Sequence, residues 1–170
     1  MALKRAYRAH RASLHSMSLH DIVVVRSPSG APRIEHEPSL HCSIAHAMGW
    51  ALGAVAATPV GGDLEPATRM DARLAPRFSE ASEVDLLIAG GVARESAPTV
   101  LWTLKEAVLK ARETGLASHP RTVRLWGRTE SGWFASAPVG ASGVRFWDVV
   151  TLRRGPLCLA LATPSAEESP

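Results

Sequence analysis

Cysteine is nearly missing from this 170-residue chain, which carries two, and aromatic residues make up only 5% of it. Cys42 and Cys158 lie too far apart in sequence to form a disulfide framework, so both are expected to be plain buried thiols in a reducing cytoplasm. Long hydrophobic runs are lacking too. The longest uncharged apolar stretch, Ala47 to Val60, is interrupted by Gly49, Gly53 and Pro59 and falls short of the about 20 residues a membrane-spanning helix needs. Charge of one sign is scarce: the formal net charge is +3, and Lys4, Lys105 and Lys110 are the lysines among nineteen basic residues. In the basic N-terminal stretch no aromatic residue apart from Tyr7 is interleaved with the basic ones, so nucleic acid is not an expected partner.

One local imbalance stands out. No acidic residue precedes Asp21, whereas Lys4, Arg5, Arg8 and Arg11 come with His10, His15 and His20. Such a segment reads as a solvated first helix, an anion-binding arm or an Arg-rich transit peptide; it lacks the apolar core of a secretory signal.

What is present is a composition of 46% apolar and 21% charged residues, that of one globular domain able to bury roughly two-thirds of the surface it exposes when unfolded. The β-branched run Asp21 to Arg26 reads as a strand entering the turn Ser27-Pro28-Ser29-Gly30-Ala31-Pro32. Leu40 to Val60 reads as a hairpin, with Gly49 and Gly53 as turn or bulge positions. Ser79 to Ile88 is expected to be helical and to stop at Gly90-Gly91. The clearest helix runs from about Thr99 to Thr114, opened by Pro98, ended by Gly115 and striped by Leu101, Leu104, Val108 and Ala111. Four strand-like stretches follow, Thr122 to Arg128, Trp133 to Ser136, Val144 to Val150 and Leu157 to Ala162, in the manner of a meander. The expectation is an α+β fold, an antiparallel sheet packed against a long helix, divided into a basic segment 1–20, a domain 21–163 and a disordered tail 164–170.

Two segments could carry chemistry. In Val60-Gly61-Gly62-Asp63-Leu64-Glu65, a strand puts Asp63 and Glu65 on one face and Leu64 on the other. Paired carboxylates repel, and a hard divalent cation relieves that; a solvated strand end would look the same. Further on, Trp102, Glu106 and Lys110 recur four apart on one helix face, flanked by Lys105, and that face is expected to look toward solvent, a cleft or a ligand. An ordinary i,i+4 surface pair fits equally well. His36, His41, Cys42 and His46 fall close together, but alternation along a strand would split them between faces, and no familiar zinc spacing appears.

Taken together with Ser43-Ile44-Ala45-His46 upstream, these segments resemble the 4′-phosphopantetheinyl transferase family, whose motifs are Ser-x-Ser-His, Gly-x-Asp-x-Glu and Trp-x-x-Lys-Glu-Ala-x-x-Lys. Their order, with the histidine first, is that of the surfactin-synthetase-activating branch, and Gly30-Ala31-Pro32 looks like its Gly-x-Pro turn. The resemblance covers approximately Asp21 to Leu116. It implies transfer of 4′-phosphopantetheine from coenzyme A to a serine of an apo acyl or peptidyl carrier protein, releasing adenosine 3′,5′-bisphosphate. It further implies Mg²⁺ on Asp63, Glu65 and Glu106, Glu106 and Lys110 as catalytic groups, and His46, Lys105 and Lys110 on the coenzyme phosphates. A catalytically impaired relative, binding carrier protein or coenzyme A, is the alternative.

Three departures from the pattern carry expectations of their own. Ala45 replaces the serine before the histidine, Gly62 replaces a branched residue, and Glu113 stands in place of a glycine, where an acidic side chain would repel a phosphate. Enzymes of this branch join two similar halves around the coenzyme, and here the first half is reduced to about forty residues. The chain resembles a half-unit, and a homo-oligomer is expected to complete the cleft.

Overall fold

Leu3 and Tyr7, four residues apart, give the N-terminal segment an apolar edge, and Ala2–His10 forms a helix (α1) that buries both. The computed structural model describes residues 1–11, 16–68 and 70–167, with Leu116 described by its backbone alone. The basic segment is therefore no detached arm over residues 2–10: its apolar edge packs with Ile22, Ile34, Leu40 and Cys42 in a small core. Tyr7 donates a 2.7 Å hydrogen bond to Glu37, to which Arg11 is also paired.

Val24–Arg26 (β1) and Pro32–Ile34 (β2) pair antiparallel across the expected turn. The expected hairpin follows as His41–Ala47 (β3) and Trp50–Ala56 (β4). Its two-residue turn, Met48-Gly49, has φ of 51° and 77°, the left-handed pair that matches strand twist and favours glycine. Gly53 makes neither turn nor bulge: it pairs with Ile44 in mid-strand, and a Cβ there would come within 2.6 Å of the Leu3 backbone nitrogen. The hairpin carries a glycine here because α1 lies directly on it.

Gly61–Pro66 (β5) opens the main sheet. After Ala75–Phe78 (α2), Ala81–Ala89 (α3) and Ala97–Ala111 (α4), the chain forms the expected meander: Arg124–Arg128 (β6), Trp133–Val139 (β7), Gly143–Arg154 (β8) and Leu157–Pro164 (β9). The sheet order is β5-β9-β8-β7-β6 and every pairing is antiparallel. The fold is α+β, as the patterning predicts. The tail leaves β9 at Pro164; Ser165 still donates its backbone N–H to Phe146, and residues 168–170 lie outside the described residues.

α4 is the axis of the core. It packs on β5, β9 and β8 on one side and against α3 on the other, and Leu101, Leu104 and Val108 are wholly buried, each worth about 1.5–3 kcal/mol in apolar transfer. Of its residues only Trp102 and Lys110 escape burial. Pro98 sits in the first turn, where a missing N–H costs nothing. The helix stops at Ala111 rather than Thr114, because Glu113 takes φ of 58°. Glu113 N–H bonds to Lys110 and Thr114 N–H to Leu109, a left-handed stop two residues before the glycine expected to make it. Among the described residues, no helix is long and apolar enough to cross a membrane.

Candidate active site

β5 lies tight against α4. A Cβ on Gly61 would meet the Ala107 carbonyl oxygen at 1.9 Å and the Ala111 nitrogen at 2.4 Å, so only glycine permits this approach. Farther along the chain, Met70 N–H bonds to Thr99 Oγ1 at 3.1 Å, so this segment runs antiparallel to the helix. Alternation along β5 then sends Asp63 and Glu65 to the side of Gly61, facing α4. Gly62 and Leu64 face the other way, where Leu64 packs with Ala45 and Leu157.

Asp63 and Glu65 are consequently buried at the seam, 5% and 8% exposed, as is Glu106 at 8%. Lys110 donates to Asp63 Oδ1 at 2.7 Å, while Asp63 Oδ2 is buried without a hydrogen-bond partner among the described residues. Glu65 and Glu106 are both engaged by neighbours.

Across the seam, β3 is fixed on β5 by Ser43, whose hydroxyl accepts from Gly62 N–H at 2.9 Å and donates to its carbonyl at 3.3 Å. That clasp explains the serine of the first motif: it joins the hairpin to the strand that carries Asp63. Three residues on, His46 is exposed and lines a cavity of about 360 Å³ together with Gly30, Ala31, Pro32, Lys110 and Glu113. The Gly-Ala-Pro turn, the histidine and the helix lysine, spread over some eighty residues of sequence, thus share one cleft.

Lys105 is elsewhere. Its ammonium is wholly buried and donates to Glu83 Oε2 at 2.9 Å and to the Val123 carbonyl at 2.7 Å. Glu83 also accepts from the backbone N–H of Leu125 and of Glu80, each at 2.8 Å. Burial lowers the Lys105 pKa, and Glu83 pulls it back only partly. Lys105 pins α3 and β6 to α4; it does not enter the cleft with His46 and Lys110. The face of α4 expected to look outward is in fact largely covered, and Trp102 meets Phe78 edge to face at 5.2 Å.

Glu113 does not confront the cleft as a bare charge either. Its carboxylate pairs with Arg33, accepts from Ser29 Oγ at 3.3 Å and lies 3.4 Å from His41 Nδ1. Burial pushes its pKa up, but Arg33 and His41 outweigh burial and hold it below the ordinary carboxylate value. The repulsion expected from its sequence position is thereby offset. Arg33 and His41 carry no sequence signal for this role, because their partner is 80 and 72 positions away.

Among the described residues, no three His, Cys, Asp or Glu side chains are gathered closely enough to cage a metal ion. The seam supplies hard oxygen donors, and Asp63 Oδ2 is buried with no hydrogen-bond partner among the described residues. It therefore suits Mg²⁺ only in the manner usual for that ion, with one or two carboxylates plus water and substrate phosphate.

The cleft and the buried acidic seam beside it carry the three motifs, and residues 59–159 match the 4′-phosphopantetheinyl transferase superfamily, to which the chain belongs. Among its relatives, the 4′-phosphopantetheinyl transferase psf-1 of Bacillus pumilus is 30% identical over 105 residues, 61% of this chain and 45% of that protein. The 4′-phosphopantetheinyl transferase ffp of Bacillus subtilis is 29% identical over 104 residues, 61% of this chain and 46% of that protein. The chain spans about half the length of the curated relatives it matches.

Proposed function

We propose that this chain transfers 4′-phosphopantetheine from coenzyme A to a serine hydroxyl of an apo acyl or peptidyl carrier protein. The observation that carries the reading is the single cleft lined by His46 and Lys110, with Asp63 2.7 Å from the Lys110 ammonium. In the reaction, the serine oxygen forms a bond to the phosphorus bearing the pantetheine, the bridging P–O bond breaks, and adenosine 3′,5′-bisphosphate leaves. Lys110 is a point charge for the pyrophosphate, and His46 donates to another phosphate oxygen. Glu106, on the same helix, is the group assigned to the serine proton, directly or through one water. Of Asp63, Glu65 and Glu106, one or two would hold Mg²⁺ together with water and the pyrophosphate, whose charge the ion would neutralise when bound. Lys105 has no part in phosphate binding.

A second copy of this chain is the proposed partner in the assembly. Val144, Val150 and Leu152 are 60%, 49% and 60% exposed, and alternation sets them on the sheet face opposite α4. An apolar group of that kind favours a self-complementary contact. The two free, buried thiols Cys42 and Cys158 suit a reducing compartment such as the cytoplasm. Neither membrane nor nucleic acid enters the reading.

Incubating the protein with coenzyme A, Mg²⁺ and an apo carrier protein, and weighing the carrier by mass spectrometry, tests the proposal. The wild type is expected to add the phosphopantetheine mass, and Asp63→Ala and Glu106→Ala to lower the rate by about 100-fold or more, the scale for loss of a preorganised charged group. A second reading has support in the lack of a preformed three-ligand cage among the described residues: the chain binds coenzyme A or carrier protein without transfer. Tight binding with no mass addition would favour it.

A further inference from the structure

Glu113 occupies the left-handed position that ends α4, where glycine is favoured and a side chain strains the backbone. A residue kept in such a conformation points to what its side chain does. Here the carboxylate reaches across the mouth of the cleft to Arg33 of β2, Ser29 of the β1–β2 turn and His41 at the start of β3. These contacts span 80, 84 and 72 positions and join the helix end that bears Lys110 to the wall that bears Gly30, Ala31 and Pro32.

From this geometry we infer that Glu113 is a positioning residue: it clamps the β1–β2 wall of the cleft to the end of α4 and thereby sets the gap in which the ligand phosphates lie. The ligand part of the inference rests on the proposed function; the clamp does not. Glycine at this position would ease the backbone and still permit the helix stop, so the chain gives up backbone comfort for a charged tie. Arg33 is the principal partner, because its side chain pairs with the carboxylate while only 18% exposed, and a charge-assisted bond in such a setting outweighs a neutral one. With Arg33 and His41 already on the carboxylate, Glu113 also leaves Lys110 to Asp63 and the ligand.

Amide hydrogen exchange on the unliganded protein tests the clamp by itself. In Glu113→Gly, whose backbone suits the left-handed site, and in Glu113→Gln, amides of residues 24–34 are expected to exchange about tenfold faster, the scale of one charged hydrogen bond. Amides of the α4 interior should keep wild-type rates. Arg33→Gln should give the same local acceleration, and Glu113→Gln combined with Arg33→Gln little more than either alone, as for two ends of one contact. Wild-type exchange across 24–34 in both Glu113 variants would overturn the inference, as would full additivity. With coenzyme A and carrier protein, the Glu113 variants should raise KM for coenzyme A about tenfold with a smaller fall in kcat. A fall in kcat alone would contradict the positioning role. If the wild type fails to bind coenzyme A, the proposed function fails, and the exchange result still decides the clamp.

Discussion

His46 and Lys105 are both basic members of the recognised motifs, yet packing gives them opposite fates. His46 projects from β3 into the cleft, and its truncation to alanine should leave stability within about 0.5 kcal/mol of wild type, as is usual for an exposed site. Calorimetric titration of coenzyme A into His46→Ala should show affinity lowered about tenfold. Lys105 is the reverse case. Lys105→Met strands the Glu83 carboxylate in the core and should cost about 3 kcal/mol, read from urea unfolding, because breaking one partner of a buried pair leaves a charge uncompensated. An effect of Lys105→Met on coenzyme A affinity without loss of stability would contradict its placement. The motif spacing could not separate these two residues. An i,i+4 pattern says which side chains share a helix face, but α3 and β6, which cover that face, come from segments on either side of the helix.

At the scale of elements, the seam between β5 and α4 depends on one missing side chain. Gly61→Ala would place a methyl 1.9 Å from a helix carbonyl, and neither backbone can yield locally. The expected outcome is a loss of about 1–3 kcal/mol, the usual range for overpacking, together with a drop in transfer rate as Asp63 moves off Lys110; thermal unfolding and the mass-addition assay check both. The β1–β2 hairpin gives a pH prediction. Glu113 has a folded pKa below its ordinary 4.5, so its detached form binds a proton more readily, and the stability it contributes is complete above 4.5 and lost as pH falls through the depressed value. Exchange protection of residues 24–34 should therefore hold at neutral pH and decline below 4.5, and Glu113→Gln should remove that step. Most elements here were legible beforehand. The β-branched run, the Pro-Gly turns, the apolar stripe and the strands with turn residues between them all encode local geometry. The helix end was not, since a glutamate at φ of 58° is chosen by partners some eighty positions away.

For the molecule as a whole, the partition into layers was readable and the sharing of the cleft was not. Composition predicts a sizeable core, and α4 with its five-stranded sheet forms the largest one, beside the small core under α1. The N-terminal segment looked like a candidate arm because its charges dominate, yet Leu3 and Tyr7 settle it against the hairpin. Assembly is the prediction at this scale. If the sheet face bearing Val150 and Leu152 is the contact between two copies, light scattering should report an oligomer for the wild type and a monomer for Leu152→Glu. A monomeric wild type that is nevertheless active would remove the second copy from the account.

His46, the Gly30 to Pro32 turn and Lys110 line one cleft, proposed to take the coenzyme phosphates. Chemical-shift mapping during titration with coenzyme A is the decisive measurement. Perturbations are expected at residues 29–32, at His46 and at Lys110, all diminished in Lys110→Gln. Saturating coenzyme A that leaves those signals unmoved, or moves a different face of the molecule, would contradict that proposal.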